Sequence, residues 1–510
     1  MTATGMTGMP AETTAAGSPP VSSGRPRPTL TVTRLTARFV LLAAVTLVAF
    51  HKTLISLVQS TLEGSLNGFV WLMPIAAVVA AVGVARHDRV ELPIHDRQTD
   101  MIVGVVGLSF ALMWQFVLLQ RYSQYFHLLR IDLAALWLFV TASSTILFGL
   151  RPVVRFIWVW MLLLLTFPVG YHLAVIFLGG NRASAGLAAL VPAAAATAVA
   201  VGRSRSRAVV GAMSALLLGL TVLAAMAVFT PRAPLLAFQL VPALLAMSAV
   251  GLSLFFYSRR GVPVRLLDRK IEPLAAKQIW AGIPLVVATG VALSLVDLPA
   301  PANRPVWVQG MTFGRPLASP AGWHQVEQSD YRWVRRVYGS DAVLIRQRFV
   351  ADVGNPEWDK FSRPRTVVVD SVNTSRPFSL QTYPQTLLYD ESSSRISDPR
   401  FIDLGHGIIG SLVTVVDDRR LVTYNLLSWT WREADSAQRV TIAAVDNHED
   451  DVVFPEPSGG FNASLRTMVS VFFRGNQATW DSDPTYKDAG LLTSFGRGLI
   501  DAQLRHAGLP

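Results

Sequence analysis

The densest set of side chains suited to binding an anion lies in a short loop at residues 121–130. It contains Arg121, Tyr122, Tyr125, His127 and Arg130. Arginine holds a phosphate or carboxylate through two parallel hydrogen bonds, and a tyrosine ring can cover a sugar or lipid. These five residues are therefore predicted to bind a ligand. The alternative is that the Tyr and Arg side chains anchor the loop at the membrane interface.

Three ionisable residues, His51, Lys52 and His172, fall inside long apolar runs, where a charged group is costly and often functional. Lys52 either extends to the membrane interface or serves a lipid headgroup or a proton relay. His172 follows the segment Pro168-Val169-Gly170-Tyr171, which interrupts its run. A broken helix is tolerated where protein or a cavity surrounds the freed backbone groups. The sequence predicts either such a cavity near His172 or a simple proline kink.

Motifs for covalent catalysis, nucleotide hydrolysis and metal binding are missing. The chain has no cysteine, which excludes disulfides, thiol nucleophiles and cysteine-ligated metals. It has no Gly-x-x-x-x-Gly-Lys phosphate loop, and residues 405–411 lack the Gly-x-Ser-x-Gly pattern of serine hydrolases. The acidic turn at 448–451 lacks the ligand spacing of a calcium loop. We therefore predict no catalytic residues, no metal and no cofactor.

Apolar runs dominate the first part of the chain. Each is about 17 to 25 residues long, enough to cross a bilayer as a helix. The nine runs cover roughly 39–58, 67–85, 101–119, 132–150, 153–178, 185–201, 208–229, 235–257 and 278–296. Residues 1–34 are rich in Thr, Ala, Gly, Pro and Ser and predict a disordered cytoplasmic tail. The sequence thus predicts a transmembrane domain of about nine helices over residues 35–296.

Charge is divided unevenly between the two parts of the chain. Residues 1–296 carry a net charge of +14 and residues 297–510 a net charge of −3. Eighteen Lys and Arg residues fall on the predicted inner side of the membrane and four in the outer loops. Because cytoplasmic loops retain positive charge, the N-terminus is predicted inside and the C-terminal part outside a cell (inner) membrane. The basic charge is spread over loops, which argues against nucleic-acid binding.

The C-terminal part, residues 303–510, follows a linker at 297–302 and alternates strand and helix signals. Strands are predicted at 342–350, 366–372, 408–416, 421–431 and 439–445, with a hairpin over 408–431, and helices at 463–474 and 489–506. Leu427, Trp429 and Trp431 share one face of their strand. That face is either core or an aromatic wall for a lipid or sugar. The predicted fold is a polytopic α-helical membrane bundle followed by an α+β extracytoplasmic domain.

The layout resembles exosortase-type membrane proteins fused to their associated extracytoplasmic domain. The matching residues are Phe148-Gly149-Leu150-Arg151-Pro152, leading to Leu162–Phe167 and Pro168, and then Gly322-Trp323-His324. The resemblance, over residues 60–350, implies a transpeptidase that uses a Cys with Arg and His. Here the stretch Ala183-Ser184-Ala185-Gly186 stands nearest to the family's Ala-Cys-Ser-Gly run, so Ser184 replaces the Cys. A serine needs a base to activate it, and the sequence identifies none.

Two weaker resemblances concern architecture. The layout is similar to actinobacterial factors for mycolate and lipoglycan assembly, including partners of the trehalose monomycolate transporter. It is also similar to multispanning polyprenyl-phosphate-sugar glycosyltransferases, whose acidic pair is reduced here to Glu63. Our leading hypothesis is a non-catalytic cell-envelope biogenesis factor that binds or helps traffic a glycolipid or lipoglycan precursor and supports a membrane transporter or assembly complex. Its predicted partners are a membrane lipid or glycolipid and such a transporter or assembly protein. The alternative is a membrane transferase using Glu63, Arg121, His127 or Ser184.

Overall fold

The computed structural model describes residues 28–86, 97–202, 204–258, 282–300, 305–389, 394–418, 421–434, 436–449, 452–458 and 483–508. Within these ranges the first part of the chain is helical. Its helices are α1 Pro28–Ala49, α2 His51–Leu62, α3 Leu72–Ala85, α4 Arg97–Met113, α5 Leu119–Arg121, α6 Phe126–Leu129, α7 Ile131–Phe148, α8 Leu150–Arg155, α9 Ile157–Leu164, α10 Val169–Phe177, α11 Arg182–Val201, α12 Arg205–Phe229, α13 Leu235–Ser258 and α14 Ile283–Ser294. Helix α1 begins at Pro28, inside the predicted tail, because proline suits the first turn of a helix.

Six helical segments are long and apolar enough to cross a membrane. They are Leu66–Ala85, Arg97–Arg121, Ile131–Phe148, Arg182–Val201, Arg205–Phe229 and Leu235–Ser253. Two helix pairs also pass this test together but are bent, by 70° between α1 and α2 and by 63° between α9 and α10. The described residues therefore hold six helices that could span a membrane, or up to eight candidate spans if each bent pair is one span, whereas the sequence predicts nine.

The difference in span count has a physical reason. Hydropathy measures the length of an apolar run and does not register a bend within it. The ninth run, 278–296, contributes the 12-residue helix α14, and residues 278–281 lie outside the described ranges. The break predicted at Pro168 is confirmed, because α9 ends at Leu164 and α10 begins at Val169.

The C-terminal part forms one sheet with three described helices. Its strands are β1 Val306–Trp307, β2 Trp323–Tyr331, β3 Val343–Ala351, β4 Thr366–Thr374, β5 Arg395–Ile396, β6 Arg400–Asp403, β7 Ile409–Asp417, β8 Val422–Glu433 and β9 Ser436–Val445. The order is β2-β3-β4-β9-β8-β7-β5, with β6 also on β7 and the short β1 on β8. All pairings are antiparallel except β1 with β8. The helices are α15 Arg335–Tyr338, α16 Pro377–Thr382 and α17 Ala489–His506.

The hairpin predicted over 408–431 is confirmed as β7 and β8, and α17 matches the predicted helix 489–506. Strand β2 was not predicted, because its sequence is mostly polar and most of its residues are exposed at the sheet edge. The predicted helix 463–474 lies outside the described residues.

Helix α17 covers one face of the sheet. Leu427, Trp429 and Trp431 point into the core beneath it, together with Phe495 and Leu499 of the helix. Both tryptophans are almost completely buried. The sequence interpretation of this face as a ligand-binding aromatic wall is therefore replaced by a core role.

The opposite face of the sheet packs on the helical bundle. One continuous apolar cluster, which we call the junction core, joins the two parts of the chain. From the bundle it takes Leu119, Tyr122, Tyr125, Phe126, Leu128, Leu129, Ile131 and Ile176; from the sheet domain it includes Val334, Tyr338, Val368, Val372, Leu380, Tyr383, Val413, Val415, Leu426 and Ala443. The predicted linker also takes part, since Leu298 packs against this cluster. The sheet domain is thus docked on one end of the bundle.

Candidate ligand-binding site

A cavity of about 110 Å³ lies in the junction between the bundle and the sheet. We call it the junction cavity. Three parts of the chain line it: the 121–130 loop, the segment after α14, and the sheet face with α16. The lining residues are Ser123, Gln124, Phe126, His127, Pro299, Ala300, Pro305, Pro377, Leu380, Gln381, Pro384, Gln385, Ile396, Pro399, Ser411, Val413, Thr430 and Arg439. The lining combines polar and apolar groups, as in a site for an amphipathic molecule.

Arg439 is the cation of the junction cavity. It lies on β9, and its guanidinium donates hydrogen bonds to the carbonyl oxygens of Leu380 (3.1 Å) and Tyr383 (2.9 Å) and to the hydroxyl of Tyr338 (2.7 Å). It also lies over the Tyr338 ring, 5.4 Å from the centroid. Its Nε is buried and has no hydrogen-bond partner. Within the described residues, no carboxylate lies within ion-pair distance of Arg439.

His127 brings the 121–130 loop into the cavity wall. Its ring meets the Phe378 ring edge-on, with 4.8 Å between centroids. Burial, together with the nearby positive charge of Arg130, lowers the pKa of His127 to about 3. The ring is therefore neutral at physiological pH. Its Nδ1 is buried without a hydrogen-bond partner, so the ring has a nitrogen available for a ligand.

The other described residues of the cavity wall are uncharged. Gln381 lies on α16, and Gln385 follows this helix with its Oε1 buried and unpartnered. Thr430 contributes a hydroxyl group from the sheet. Proline side chains from the linker and around α16 supply apolar surface. Among the described lining residues, a ligand would find one cation, several neutral hydrogen-bonding groups and an apolar rim.

The broken span lies beside the junction. His172 is fully buried and bonds through Nε2 to Oδ1 of Asn67 at 3.0 Å, while Nδ2 of Asn67 donates to the carbonyl oxygen of His127 at 3.2 Å. The His172 ring faces the Tyr383 ring, with 5.9 Å between centroids. The hydroxyl of the buried Tyr383 and Nδ1 of His172 have no hydrogen-bond partner. The sequence leaves open a cavity near His172 or a proline kink, and the structure shows a 63° bend at the Pro168 break with His172 packed in this buried cluster.

Arg130 has a structural role. Its guanidinium is fully buried and makes two hydrogen bonds to Asp132, at 3.0 and 2.9 Å. It also donates to the carbonyl oxygen of Thr53 at 3.3 Å. These partners belong to α2 and α7, so Arg130 ties two helices together and is not placed to hold a ligand.

The other loop residues divide by exposure. Tyr122 and Tyr125 are buried in the junction core, and their rings pack against the sheet domain instead of facing outward. Arg121 is exposed at the end of α5. Of the five loop residues identified from the sequence, His127 is the one that lines the junction cavity.

The polar residues of the first span lie near its bend. His51 is exposed, and its Nδ1 contacts the carbonyl oxygen of Val48 at 3.0 Å. Lys52 pairs with Asp297, the first residue of the predicted linker, at 2.6 Å. Glu63 lies at the end of α2 and pairs with Arg432 of the sheet at 3.7 Å. These two ion pairs connect the bundle to the segment after α14 and to the sheet.

Ser184 lies in the first turn of α11. Its hydroxyl donates to the carbonyl oxygen of Leu178 at 2.8 Å and contacts Oδ1 of Asn181 at 2.9 Å, while Asn181 caps the helix. In the described part of the chain, no hydrogen bond or ion pair joins Ser184, Glu63 and His127. The residues of the transferase hypothesis are therefore engaged in separate structural contacts.

No protein-family model, curated protein or solved structure matches the chain. The functional proposal therefore rests on the residues of the junction cavity.

Proposed function

We propose that the protein is a non-catalytic membrane factor that binds the polar headgroup of a lipid or glycolipid in the junction cavity, and that it serves cell-envelope biogenesis. The observation that carries this proposal is the joint construction of the cavity by the 121–130 loop, the segment after α14 and the sheet. A site shared between a membrane bundle and a docked domain suits a molecule with one part in the bilayer and one part outside it.

The lining supports binding in preference to chemistry. Its polar groups are amides, hydroxyls, one neutral imidazole and one guanidinium. General acid–base catalysis needs a group whose pKa lies near the working pH, and His127 is far below it. The assignment to the envelope draws on the predicted orientation, with the sheet domain outside the cytoplasm. A transporter or assembly complex is the partner that we propose for such a factor.

The proposal is tested by blocking the cavity with Ser123→Trp. Purified full-length protein in detergent is analysed by native mass spectrometry for co-purified lipid, and extracted lipids are identified. We expect the wild type to retain a lipid or glycolipid and Ser123→Trp to lose most of it, because an indole group fills much of a 110 Å³ space.

The matched control is Ser340→Trp, which places the same side chain at an exposed position of the sheet domain that does not line the cavity. This variant should retain wild-type lipid. Equal retention by the wild type and both variants contradicts the proposal. A chain that turns over polyprenyl-phosphate sugars, with activity lost in Glu63→Gln, also contradicts it.

A further inference from the structure

We propose that the ligand of the junction cavity carries an anionic group, a phosphate or a carboxylate, which is held beside Arg439. This inference rests on the proposed function, because it names the chemistry of the headgroup that the same cavity takes. It also assigns the cation to β9 of the sheet domain, whereas the sequence predicts it in the 121–130 loop.

The first argument comes from a comparison of buried arginines. In the described part of the chain three arginines are buried: Arg130, Arg365 and Arg439. Arg130 pairs with Asp132 at 2.9 Å, and Arg365 pairs with Asp488 at 2.8 Å. A buried charge is costly unless an opposite charge compensates it, and the first two follow that rule. Arg439 is the exception, and it is the one that lines a cavity.

The contacts of Arg439 explain how it is held in place without cancelling its charge. The carbonyl groups of Leu380 and Tyr383 lie at the C-terminal end of α16, where a helix dipole favours a cation. The Tyr338 ring adds a cation–π contact. None of these partners carries a negative charge, so the full positive charge of Arg439 remains next to the cavity.

The second argument comes from the lining itself. Among the described residues that line the cavity there is no Asp or Glu, so no carboxylate competes with an incoming anion. Amide and hydroxyl groups of Gln381, Ser123 and Thr430 line the same space and can donate hydrogen bonds to phosphate or carboxylate oxygens. The neutral His127 adds no negative charge.

The volume limits the size of the group. A cavity of about 110 Å³ holds a headgroup of a few non-hydrogen atoms, whereas drug-sized ligands occupy about 300 Å³ or more. One phosphate or carboxylate group with its first substituent fits this space. The remainder of a lipid or glycolipid would extend out of the cavity past its proline-rich rim.

The test places a competing carboxylate in the wall by Gln381→Glu, with Gln381→Met as the matched uncharged control. Binding to full-length protein in detergent is measured for three probes: a short-chain phosphatidylglycerol, the diacylglycerol of the same chain length, and inorganic phosphate. We expect Gln381→Glu to weaken phosphatidylglycerol binding roughly tenfold or more, because the new carboxylate pairs with Arg439 and repels the anion. Gln381→Met removes at most one neutral hydrogen bond and adds no charge, so it should weaken binding several-fold less than Gln381→Glu does.

The outcomes separate the source of the anion. Loss of phosphatidylglycerol binding in Gln381→Glu alone supports an anionic lipid headgroup. The same pattern with inorganic phosphate, and no lipid binding, supports the anion site but removes the proposed lipid function. Equal binding of diacylglycerol and phosphatidylglycerol in all three proteins overturns the inference, while sensitivity to Ser123→Trp would preserve the proposed function. If Gln381→Glu does not fold, the pair Gln385→Glu and Gln385→Met repeats the comparison from a neighbouring lining position.

Discussion

Asp370 is a buried carboxyl group in the middle of β4, on the sheet face that meets the bundle. The Tyr389 hydroxyl donates to it at 2.6 Å, and the Arg346 guanidinium lies 3.5 Å away. Burial raises the pKa of Asp370 to about 6, and the Arg346 charge and the Tyr389 hydrogen bond offset only part of that effect. The fold therefore favours the neutral form of this carboxyl group.

The pKa of Asp370 predicts a pH dependence of stability. The folded-state pKa of Asp370 is above its ordinary value of 3.8. The stability that the protonated carboxyl group contributes is therefore fully present below pH 3.8 and is lost as the pH rises through about 6. The loss is on the order of 3 kcal/mol, from a pKa difference of about two units. Relative to Asp370→Asn, the wild type should lose this stability between about pH 4 and 7, measured by unfolding in detergent with tryptophan fluorescence.

Tyr389→Phe provides the check on this prediction. Removing the hydroxyl that donates to Asp370 raises the carboxyl pKa further, so the loss of stability should move to higher pH. A difference between the wild type and Asp370→Asn that stays constant across the pH range would contradict the assignment.

The candidate site was only partly predictable at the level of single residues. His127 is visible in the sequence because a histidine beside two arginines and two tyrosines forms a recognisable local cluster. Arg439 gives no such signal, since it lies in an otherwise ordinary strand and meets the loop only through the fold. The sequence shows that Asp132 lies two residues after Arg130, but it does not show that the two side chains are buried together as an ion pair. A missing counter-charge is a property of three-dimensional packing.

At the level of elements, the turn between α10 and α11 makes a close backbone contact between the bundle and the sheet domain. Gly180 has a positive φ of 73°, and its backbone lies directly against the carbonyl group of Arg336 in α15. Its own carbonyl oxygen accepts a hydrogen bond from Arg376 at 3.3 Å. A Cβ atom at this position would overlap the Arg336 backbone, so only glycine fits without a shift of one element.

Gly180→Ala is therefore expected to loosen the docking of the sheet domain. The positive φ costs a non-glycine residue about 1–2 kcal/mol, and the overlap with Arg336 adds roughly 1–3 kcal/mol. The readouts are thermal unfolding in detergent and limited proteolysis at the junction. Both should show a less stable junction than in the wild type.

Gly179→Ala is the matched control for this turn. Gly179 also has a positive φ, of 106°, but a Cβ there meets only the Ser184 hydroxyl at 3.8 Å. This variant should show the backbone cost without the loss of docking. If the two variants are equally destabilised and equally resistant to protease, the contact with Arg336 does not lock the junction.

Elements with strong periodicity were predictable, and those shaped by contacts were not. Helix α17 and the β7–β8 hairpin follow from apolar spacing and a polar turn. No proline or glycine in the sequence predicts the 70° bend after Ala49. Neighbouring Phe50 is buried against Phe139 of α7, with ring centroids 5.8 Å apart. That tertiary contact lies beyond the reach of hydropathy.

For the whole molecule, the shared junction core changes the picture of two domains joined by a linker. Three segments predicted on the outer side meet the sheet domain: the 121–130 loop, residues 179–182, and the end of α2 through the Glu63–Arg432 ion pair. At the other end of the bundle, Arg38 and Arg97, both predicted inside, donate to carbonyl groups near the end of α7. Residues predicted on opposite sides of the membrane therefore lie at opposite ends of the bundle.

We predict that the sheet domain lies outside the cytoplasm. Because the sequence has no cysteine, single introduced cysteines can report this orientation without background labelling. Two single-cysteine variants are compared in intact cells with a membrane-impermeant maleimide: Ser340→Cys in the sheet domain and Ser206→Cys at the start of α12, both exposed positions. Because positive loops stay in the cytoplasm, Ser340→Cys should react and Ser206→Cys should react only after lysis. The reverse pattern would place the sheet domain and its cavity in the cytoplasm, and an envelope role would then be untenable.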